Sequence, residues 1–446
     1  MVTGLKFLTP CAMDTPCVFR RLLAISNKFT RTFKNFATPA IDGETKSIYY
    51  FDAYVYDISF EVIARLYRMS DMPVSTGSAA GLRDVVALSS SICSIENGVL
   101  TYRGIPIDEL AENGTFEEIV HLLWFDKLPD REELSHLRTQ IAEEAQLPKG
   151  LLDMMRSFPR RTTPMEGLRT AVSSLAMFDP EAEDMSAAAN HRKAIRLQGQ
   201  IASIVAAYDR IRNNREPIPP RPDLGLAANF LYMLRGMAPD PLSSRALDKA
   251  YILHADHELN ASTFTARVAA ATETDLHSAI TAAICALKGP LHGGANEQVM
   301  KMLNEIGNPD RVGAYIQQKL GNREKIMGFG HAVYKNGDPR AKHLREMSRQ
   351  LGKLTAQENW YNMSVAIEEL VTEAKGLKPN VDFYSASVYH YLNIADDLFT
   401  PIFAISRTSG WVAHVLEQYS NNKLIRPRAQ YTGRRDEHWV ALDKRS

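Results

Sequence analysis

A histidine and an arginine lie nine residues apart in the segment GFGHAVYKNGDPR, which begins at Gly328. Gly328 and Gly330 let the backbone approach a ligand closely and leave the side chain of His331 free to point at it. Asp338 and the proline after it predict the N-cap and the first residue of a helix, with Arg340 in the first turn. A cation at that end of a helix needs an anionic partner, so the pattern predicts a carboxylate or phosphate ligand. The alternative is a surface turn that leads into an amphipathic helix.

Two histidines stand three residues apart in LHADHELN, where His254 and His257 would share one face of a helix beside Asp256 and Glu258. Such a group can bind a first-row transition metal. The order differs from helix-borne zinc motifs, in which a glutamate lies between two histidines four apart or directly precedes the second. Three interpretations stay open: a metal site, a hydrogen-bonded buried histidine pair, and a ligand-binding His257.

Two further polar residues stand near predicted helix starts. His292 lies in KGPLHGGANE, just before a helix expected to begin near Ala295. Positive potential at a helix N-terminus lowers the pKa of a histidine, and a neutral imidazole can donate a hydrogen bond to a developing enolate. The alternative for His292 is a linker histidine between glycines. Asp382 precedes an aromatic-rich helix, where local rules indicate only a helix cap or a first-turn acid.

Composition and charge narrow the class of function. The chain has 446 residues, of which 45% are hydrophobic and 23% charged, which is typical of a folded protein with two or three domains. Basic and acidic residues number 52 each, so no overall field favours nucleic acid or an anionic membrane. The four cysteines are scattered, as in reducing compartments, and no apolar run approaches the ~20 residues that span a bilayer. These features favour small-molecule chemistry in a soluble protein.

Residues 1–71 differ in composition from the rest of the chain. The first 41 residues carry six basic side chains and one acid, which is the composition of an organelle transit peptide. Residues 42–71 are acidic and aromatic and show no helical period. We expect the folded protein to begin near Met72 and residues 1–71 to be an upstream extension, with mitochondrial import as the alternative if the source is a eukaryote.

The remainder predicts an all-α protein with one small β-hairpin. The hairpin is predicted in SICSIENGVLTY, around the turn residues Asn97 and Gly98. After it, apolar runs with helical period are separated by short loops that contain proline and glycine. Three pairs with capping-box spacing mark helix starts: Thr115 with Glu118, Asp130 with Glu133, and Thr163 with Glu166.

Six segments, in this order, resemble the citrate synthase family: HADHELN, GPLHGGANE, GFGHAVYKNGDPR, NVDFYSA, ISRTSGWVAH and IRPRAQYTG. The resemblance runs from about Arg83 to Gly433 and is closest to the shorter bacterial type, which includes 2-methylcitrate synthases. It implies a large helical domain (72–292 and 398–446) and a small helical domain (293–397) that close over the substrates. It also implies condensation of acetyl-CoA, a coenzyme A thioester co-substrate, with oxaloacetate and water, and no permanently bound cofactor.

The resemblance assigns a role to each matching residue. Asp382 becomes the base that removes a proton from the acetyl group, His292 holds the thioester carbonyl, and His331 polarises the ketone of oxaloacetate. A thioester α-proton is weakly acidic, so the base needs a preorganised donor at the enolate oxygen. The residues implied to bind the carboxylates of oxaloacetate and product are His257, Arg340, Arg407 and Arg426. The residues implied to lie near coenzyme A are Lys325, Gly328, Gly330 and Lys335.

The sequence leaves alternatives within and outside this family. A 2-methylcitrate synthase would use propionyl-CoA through the same residues, and one methylene changes binding by only ~1–3 kcal/mol. A metal-dependent hydrolase would use His254 and His257 as ligands. Ala332 stands where many bacterial members carry arginine, which removes a cation near coenzyme A. The extension does not align with the regulatory domain of hexameric members, so we expect a homodimer with a shared active site in a bacterial cytoplasm.

Overall fold

The computed structural model describes Leu82, residues 85–331 and residues 333–445. The chain divides after residue 85, and all helices and strands named below belong to the second unit, residues 86–446. The extension of residues 1–71 and the predictions made for it lie outside the described residues.

A small antiparallel sheet opens the second unit. Its strands, in sheet order, are β1 (Cys93–Glu96), β2 (Val99–Tyr102) and β3 (Ile105–Pro106). Glu96 pairs with Val99, so the two residues between them form the turn, and both have positive φ: 52° at Asn97 and 81° at Gly98. Positive φ at both positions is the geometry of a type I′ turn, whose twist matches that of the strands. The predicted hairpin is confirmed.

Sixteen α-helices follow in the described chain. The first ten are α1 (Ile107–Asn113), α2 (Phe116–Phe125), α3 (Arg131–Glu144), α4 (Lys149–Arg156), α5 (Pro164–Leu175), α6 (Ala187–Arg212), α7 (Leu226–Arg235), α8 (Pro241–His254), α9 (Ala261–Ala270) and α10 (Leu276–Leu287). The last six are α11 (Ala295–Ile306), α12 (Val312–Gly321), α13 (Ala341–Leu354), α14 (Asn359–Lys375), α15 (Val381–Tyr391) and α16 (Phe399–Ser420). The all-α prediction is confirmed.

Local capping chemistry sets three of these helix starts. Complete capping boxes occur at the N-termini of α2, α3 and α5, at the three predicted residue pairs. In α3, the Asp130 carboxylate accepts a hydrogen bond from the Glu133 backbone N–H at 2.9 Å, and the Asp130 N–H donates to Glu133 Oε2 at 3.0 Å. Each box pairs N–H groups that a helix start leaves free.

One predicted helix start is wrong by two residues. Helix α13 begins at Ala341, with Arg340 at its N-cap, instead of beginning after Asp338. The Asp338 carboxylate accepts a hydrogen bond from the Arg340 backbone N–H at 3.1 Å and from the Val381 backbone N–H at 3.0 Å. Because Val381 is the first residue of α15, its hydrogen bond holds the Asp338 carboxylate against another helix. Helix α13 therefore begins two residues later than predicted.

Helix α16 runs through the core. Its residues from Phe399 to Val415 are all buried, and it packs against α2, α6, α8, α9 and α10. A helix that is buried on every side is expected at the centre of a large helical protein. At Gly410 the packing is tightest: a Cβ atom there would lie 2.3 Å from the Ala255 carbonyl oxygen and 2.5 Å from Asp256 Oδ1. The segment after α8 therefore rests directly on α16.

The helices from α11 to α15 form a second group. Helix α15 packs against α11, α13 and α14, and also contacts α8. The division into a large domain (72–292 and 398–446) and a small domain (293–397) stays a prediction. No helix within the described residues is both long enough and apolar enough to cross a membrane.

Candidate active site

Four segments that are distant in the sequence meet at one place. They are the turn after α8, the loop before α13, the start of α15 and the middle of α16. The rings of His257 and His331 lie 5.1 Å apart, centre to centre. Arg407, on α16, donates from Nε to the carbonyl oxygen of His254 at 2.6 Å. The fold therefore brings together residues from four of the six segments that the sequence singled out, and His292, from a fifth, has its ring 6.4 Å from that of Phe403 on α16.

Gly328 is required by packing against α15, and Gly330 is required by its backbone conformation. Gly328 and Gly330 have φ of 81° and 76°, a region that favours glycine. A Cβ at Gly328 would lie 2.8 Å from the ring of Phe383, so a protein side chain makes the close approach that we expected from a ligand. The Gly330 N–H donates to the Lys378 carbonyl oxygen at 2.9 Å. The His331 loop is thus hydrogen-bonded to the segment that leads into α15.

The hydrogen bonds of His331 fix its tautomer. Its Nδ1 accepts from the backbone N–H groups of Val333 at 3.0 Å and Tyr334 at 3.3 Å. Because a backbone N–H can only donate, the proton of the neutral ring lies on Nε2. Burial, and then the charge of Arg340, lowers the pKa of His331. His331 therefore offers one N–H donor, at Nε2.

Arg340 has a protein partner, which the sequence analysis did not predict. Its Nε and Nη2 donate to the two carboxylate oxygens of Asp338 at 2.9 and 2.8 Å, and both side chains are buried. Burial opposes the charge of Arg340, but the ion pair with Asp338 still raises its pKa. The remaining contact of the guanidinium runs from Nη1 to the Leu253 carbonyl oxygen, at a long 3.5 Å. Nη1 can therefore still take an anionic ligand.

Arg407 is a buried cation that has no carboxylate within ion-pair distance among the described residues. It is 1% exposed, and its guanidinium lies over the ring of Phe403 at 4.6 Å from the ring centre. Burial lowers its pKa, and the charge of Asp256 partly offsets that effect. A buried charge without a partner is costly. The arrangement indicates an anionic ligand for Arg407.

His254 and His257 do not form a pair. Helix α8 ends at His254, so the two residues do not share a helical face as predicted. His254 is hydrogen-bonded through Nδ1 to the Ala250 carbonyl oxygen at 2.7 Å, and His257 through Nε2 to the Tyr334 hydroxyl at 3.0 Å. Across the described residues no cluster of three or more His, Cys, Asp or Glu side chains could hold a metal. Of the three interpretations, the geometry favours a ligand-binding His257.

His292 lies before α11 as a half-buried neutral histidine. Its Nε2 accepts from the Ser262 backbone N–H at 3.3 Å and lies 2.8 Å from Ser262 Oγ. The proton of the neutral ring is therefore on Nδ1. Burial, and then the charge of Arg407, lowers the pKa of His292 to about 4. Burial thus supplies the neutral state that we had attributed to the helix terminus.

Asp382 is a partly buried carboxylate in the first turn of α15. Its backbone N–H is capped by the side chain of Asn380 at 3.1 Å, while neither carboxylate oxygen is hydrogen-bonded within the described chain. Burial raises its pKa to about 6; Asp338 adds to the rise, and Arg340 and Arg407 oppose it. A carboxyl with a pKa near the working pH is suited to general-base catalysis.

Three of the predicted residues lie apart from this group. Arg426, Lys325 and Lys335 are exposed, and Arg426 belongs to the extended segment that follows α16. Their side chains make no hydrogen bond or ion pair to the residues above in the part of the chain that is described. This chain by itself therefore does not bring Arg426 to the site.

Sequence reasoning missed three residues that shape the site: Asp338, Tyr334 and Ser262. Asp338 had been interpreted only as a helix cap, although an acid two residues before an arginine can form a bidentate pair. Tyr334 bonds His257 from three residues beyond His331. Ser262 contacts His292 through both its hydroxyl and its backbone N–H, and a single serine near a helix start gives no signal of this long-range contact in the sequence.

Comparisons with known proteins agree with this geometry. The profile described as "Citrate synthase, C-terminal domain" matches residues 81–428. "Citrate synthase 2" of Bacillus subtilis is 58% identical over 367 residues, 82% of this chain and 99% of the relative. "Citrate/2-methylcitrate synthase" of the same organism is 43% identical over 358 residues, 80% of this chain and 96% of the relative. The citrate synthase of Thermoplasma acidophilum, solved with carboxymethyl coenzyme A and oxaloacetate, superposes with a TM-score of 0.78 at 31% identity, over 83% of this chain and 100% of that one.

Fold and site together define a helical condensing enzyme of the transferase class. The chain belongs to the citrate synthase family.

Proposed function

We propose that the protein condenses acetyl-CoA with oxaloacetate and water to give citrate and free coenzyme A, the condensing step of the tricarboxylic acid cycle. The observation that carries the proposal is the environment of Asp382, a carboxyl with a pKa of about 6 in the same site as neutral histidines whose N–H donors are fixed. The test is release of coenzyme A thiol when the protein meets both substrates. No release above the rate without oxaloacetate would contradict the proposal.

The first step is removal of a proton from the acetyl methyl group. Asp382 takes the proton, and the electron pair moves onto the thioester oxygen as an enolate. His292 donates its Nδ1–H to that oxygen, since Nε2 is already occupied by Ser262. Neutral imidazole suits this role because the donor is in place before charge develops and needs no reorganisation.

The second step forms the carbon–carbon bond. The enolate carbon attacks the ketone carbon of oxaloacetate, and the Nε2–H of His331 donates a hydrogen bond that polarises the ketone and stabilises the alkoxide that forms. This alkoxide takes up its proton when water enters the site. Arg340 Nη1, Arg407 and His257 hold the carboxylates, which orients the ketone toward the enolate. Water then cleaves the citryl thioester to citrate and coenzyme A.

The assembly is proposed to be a homodimer whose active site is shared, with Arg426 reaching the site of the partner subunit. Supporting this, the segment after Ser420 is extended, and its large apolar side chains are exposed in the single chain. These side chains are Leu424, Tyr431, Trp439, Val440 and Leu442. Exposed apolar residues on one segment are typical of a surface that another chain covers.

Coenzyme A is proposed to bind as a co-substrate beside the loop of Lys325, Gly328 and Gly330, with Lys335 near a phosphate, and no permanently bound cofactor is required. The support is the complex of the Thermoplasma relative with a coenzyme A derivative. Closure of the proposed small domain would exclude water while the enolate exists.

The acyl preference is proposed to be acetyl, with propionyl as the second candidate. The 58% identical Bacillus relative is named a citrate synthase, and the 43% identical one carries both names. Comparing kcat/KM for acetyl-CoA and propionyl-CoA decides between them, and a higher value for propionyl-CoA would reverse the assignment.

The cellular location is proposed to be the bacterial cytoplasm. The relatives from Bacillus subtilis support a bacterial enzyme. They do not support the mitochondrial alternative for the basic segment.

A further inference from the structure

The turn that carries His257 is held between the small sheet and α16. On the sheet side, the Tyr102 hydroxyl accepts from the Asp256 N–H at 3.2 Å and lies 3.0 Å from the Asp256 carbonyl oxygen. The Ile95 N–H donates to Glu258 Oε1 at 3.1 Å. On the helix side, Gly410 allows the backbone of the turn to lie against α16. The position of His257 therefore depends on both neighbours.

Asp256 lies next to His257 and is fully buried. Its Oδ2 accepts a hydrogen bond from His414 Nε2 at 3.3 Å. Its Oδ1 is buried and has no hydrogen-bond partner within the described residues. One oxygen of this carboxylate is thus restrained by a histidine, and the other could accept a further donor.

Arg267 fixes the proton of His414 on the nitrogen that faces Asp256. Arg267 Nη1 donates to His414 Nδ1 at 3.0 Å, and a guanidinium can only donate. The neutral imidazole therefore keeps its proton on Nε2. Arg267 is itself paired with Glu417 at 2.5 Å, and Glu417 accepts from the Ser91 backbone N–H at 2.8 Å. A chain of bonds thus runs from Asp256 through α16 to the segment before β1.

Arg407 and Asp256 carry opposite buried charges without a hydrogen bond between them. Among the charges that act on Arg407, that of Asp256 is the strongest. Of the other acids near the site, Asp338 is already engaged by Arg340. Opposite charges in a low-dielectric interior attract strongly, so a released Asp256 would move toward Arg407 and take the place of a ligand carboxylate.

We propose that His414 is a positioning residue of the keto-acid site: it restrains the Asp256 carboxylate, so that Arg407 stays free to bind a carboxylate of the substrate. This inference rests on the proposed role of Arg407 in oxaloacetate binding. It does not give His414 any contact with substrate.

Two variants of matched polarity test the restraint. In His414→Gln the longer amide reaches the position of Nε2 and still donates to Asp256. In His414→Asn the shorter amide reaches Arg267 only and leaves Asp256 free. The measurement is the dissociation constant for oxaloacetate by calorimetry, together with KM and kcat. We expect His414→Asn to weaken oxaloacetate binding about tenfold, with kcat at saturation within about threefold of wild type, and His414→Gln to stay near wild type.

A second substitution distinguishes loss of the restraint on Asp256 from a packing defect at position 414. Adding Asp256→Asn to His414→Asn removes the charge that competes for Arg407, so oxaloacetate affinity should return to within about threefold of wild type. A double variant that binds more weakly than His414→Asn, or a His414→Asn protein with wild-type affinity, overturns the inference. If His414→Asn does not fold, Asp256→Asn alone decides: binding at least as tight as wild type supports the restraint, and weaker binding overturns it.

Arg407→Gln distinguishes failure of the proposed role of Arg407 in oxaloacetate binding from failure of the proposed restraint by His414. If this variant keeps wild-type affinity for oxaloacetate, the proposed role of Arg407 is wrong and the inference falls with it. If Arg407→Gln loses affinity while both His414 variants bind normally, only the inference is overturned.

Discussion

Asp338 binds the Val381 backbone N–H at 3.0 Å while it also holds the Arg340 guanidinium with two hydrogen bonds. A single buried carboxylate therefore connects a proposed substrate-binding arginine to the first turn of α15, where Asp382 lies. The negative charge of Asp338 also raises the pKa of Asp382. The effect of Asp338 on catalysis can therefore be measured from the pH dependence of the rate.

The pH profile of kcat/KM for acetyl-CoA should fall on the acid side with a pKa of about 6. Asp382 acts as a base only when ionised, and its folded pKa is raised to about 6. His292, with a pKa of about 4, stays neutral throughout the range from pH 5 to 8.

Asp338→Asn should shift the acid limb of this profile to lower pH. The substitution removes a charge that raises the pKa of Asp382, and it frees the charge of Arg340, which lowers the pKa of Asp382. An unchanged or higher apparent pKa would contradict this.

Asp382→Asn should abolish exchange of the acetyl methyl hydrogens while oxaloacetate still binds. The amide cannot accept a proton, and the carboxylates of oxaloacetate contact other residues. We expect kcat to fall by about 10³–10⁴-fold with the dissociation constant for oxaloacetate within about threefold of wild type. The readout is deuterium exchange into acetyl-CoA followed by NMR. Exchange at the wild-type rate would remove Asp382 from the role of base.

The same substitution should stabilise the protein near neutral pH. For a carboxyl whose folded pKa is raised, the folded state binds its proton more tightly than the unfolded state, so stability falls as pH rises from about 4 to 6. Asn has no charge to bury, so Asp382→Asn should raise the free energy of unfolding by about 2 kcal/mol at pH 7.5, after a discount for the partly open site. Denaturant titrations at pH 4 and 7.5 measure it, and equal differences at the two pH values would refute the explanation.

Subunit mixing should reveal whether Arg426 acts in the partner's site. Asp382→Ala and Arg426→Ala proteins, each inactive alone, are combined and allowed to exchange subunits. Half of the randomly formed dimers are mixed, and each mixed dimer has one site with both residues intact. Activity should therefore return to about one quarter of wild type. An inactive mixture, with exchange demonstrated by mass labelling, would show that Arg426 serves its own chain or no site.

Features that depend on neighbouring residues along the chain could be predicted from the amino-acid sequence alone. We could predict the hairpin at Asn97 and Gly98 and the capping box at Asp130. Turns and helix caps depend on residues within three or four positions of one another. The residue types at His292 and His331 likewise limited the chemistry to hydrogen-bond donation or proton transfer.

The contacts between residues that are distant in the sequence became visible only in the folded chain. The sequence spacing of His254 and His257 indicated a pair, but α8 ends between them and each ring bonds elsewhere. The position of Arg340 at a predicted helix start indicated an anionic ligand, but in the fold its guanidinium is bound to the carboxylate of Asp338. The pKa of Asp382 and the tautomers of the histidines also come from the fold. Burial and charge interactions sum over groups that are hundreds of residues apart in the chain, so no local pattern can contain them.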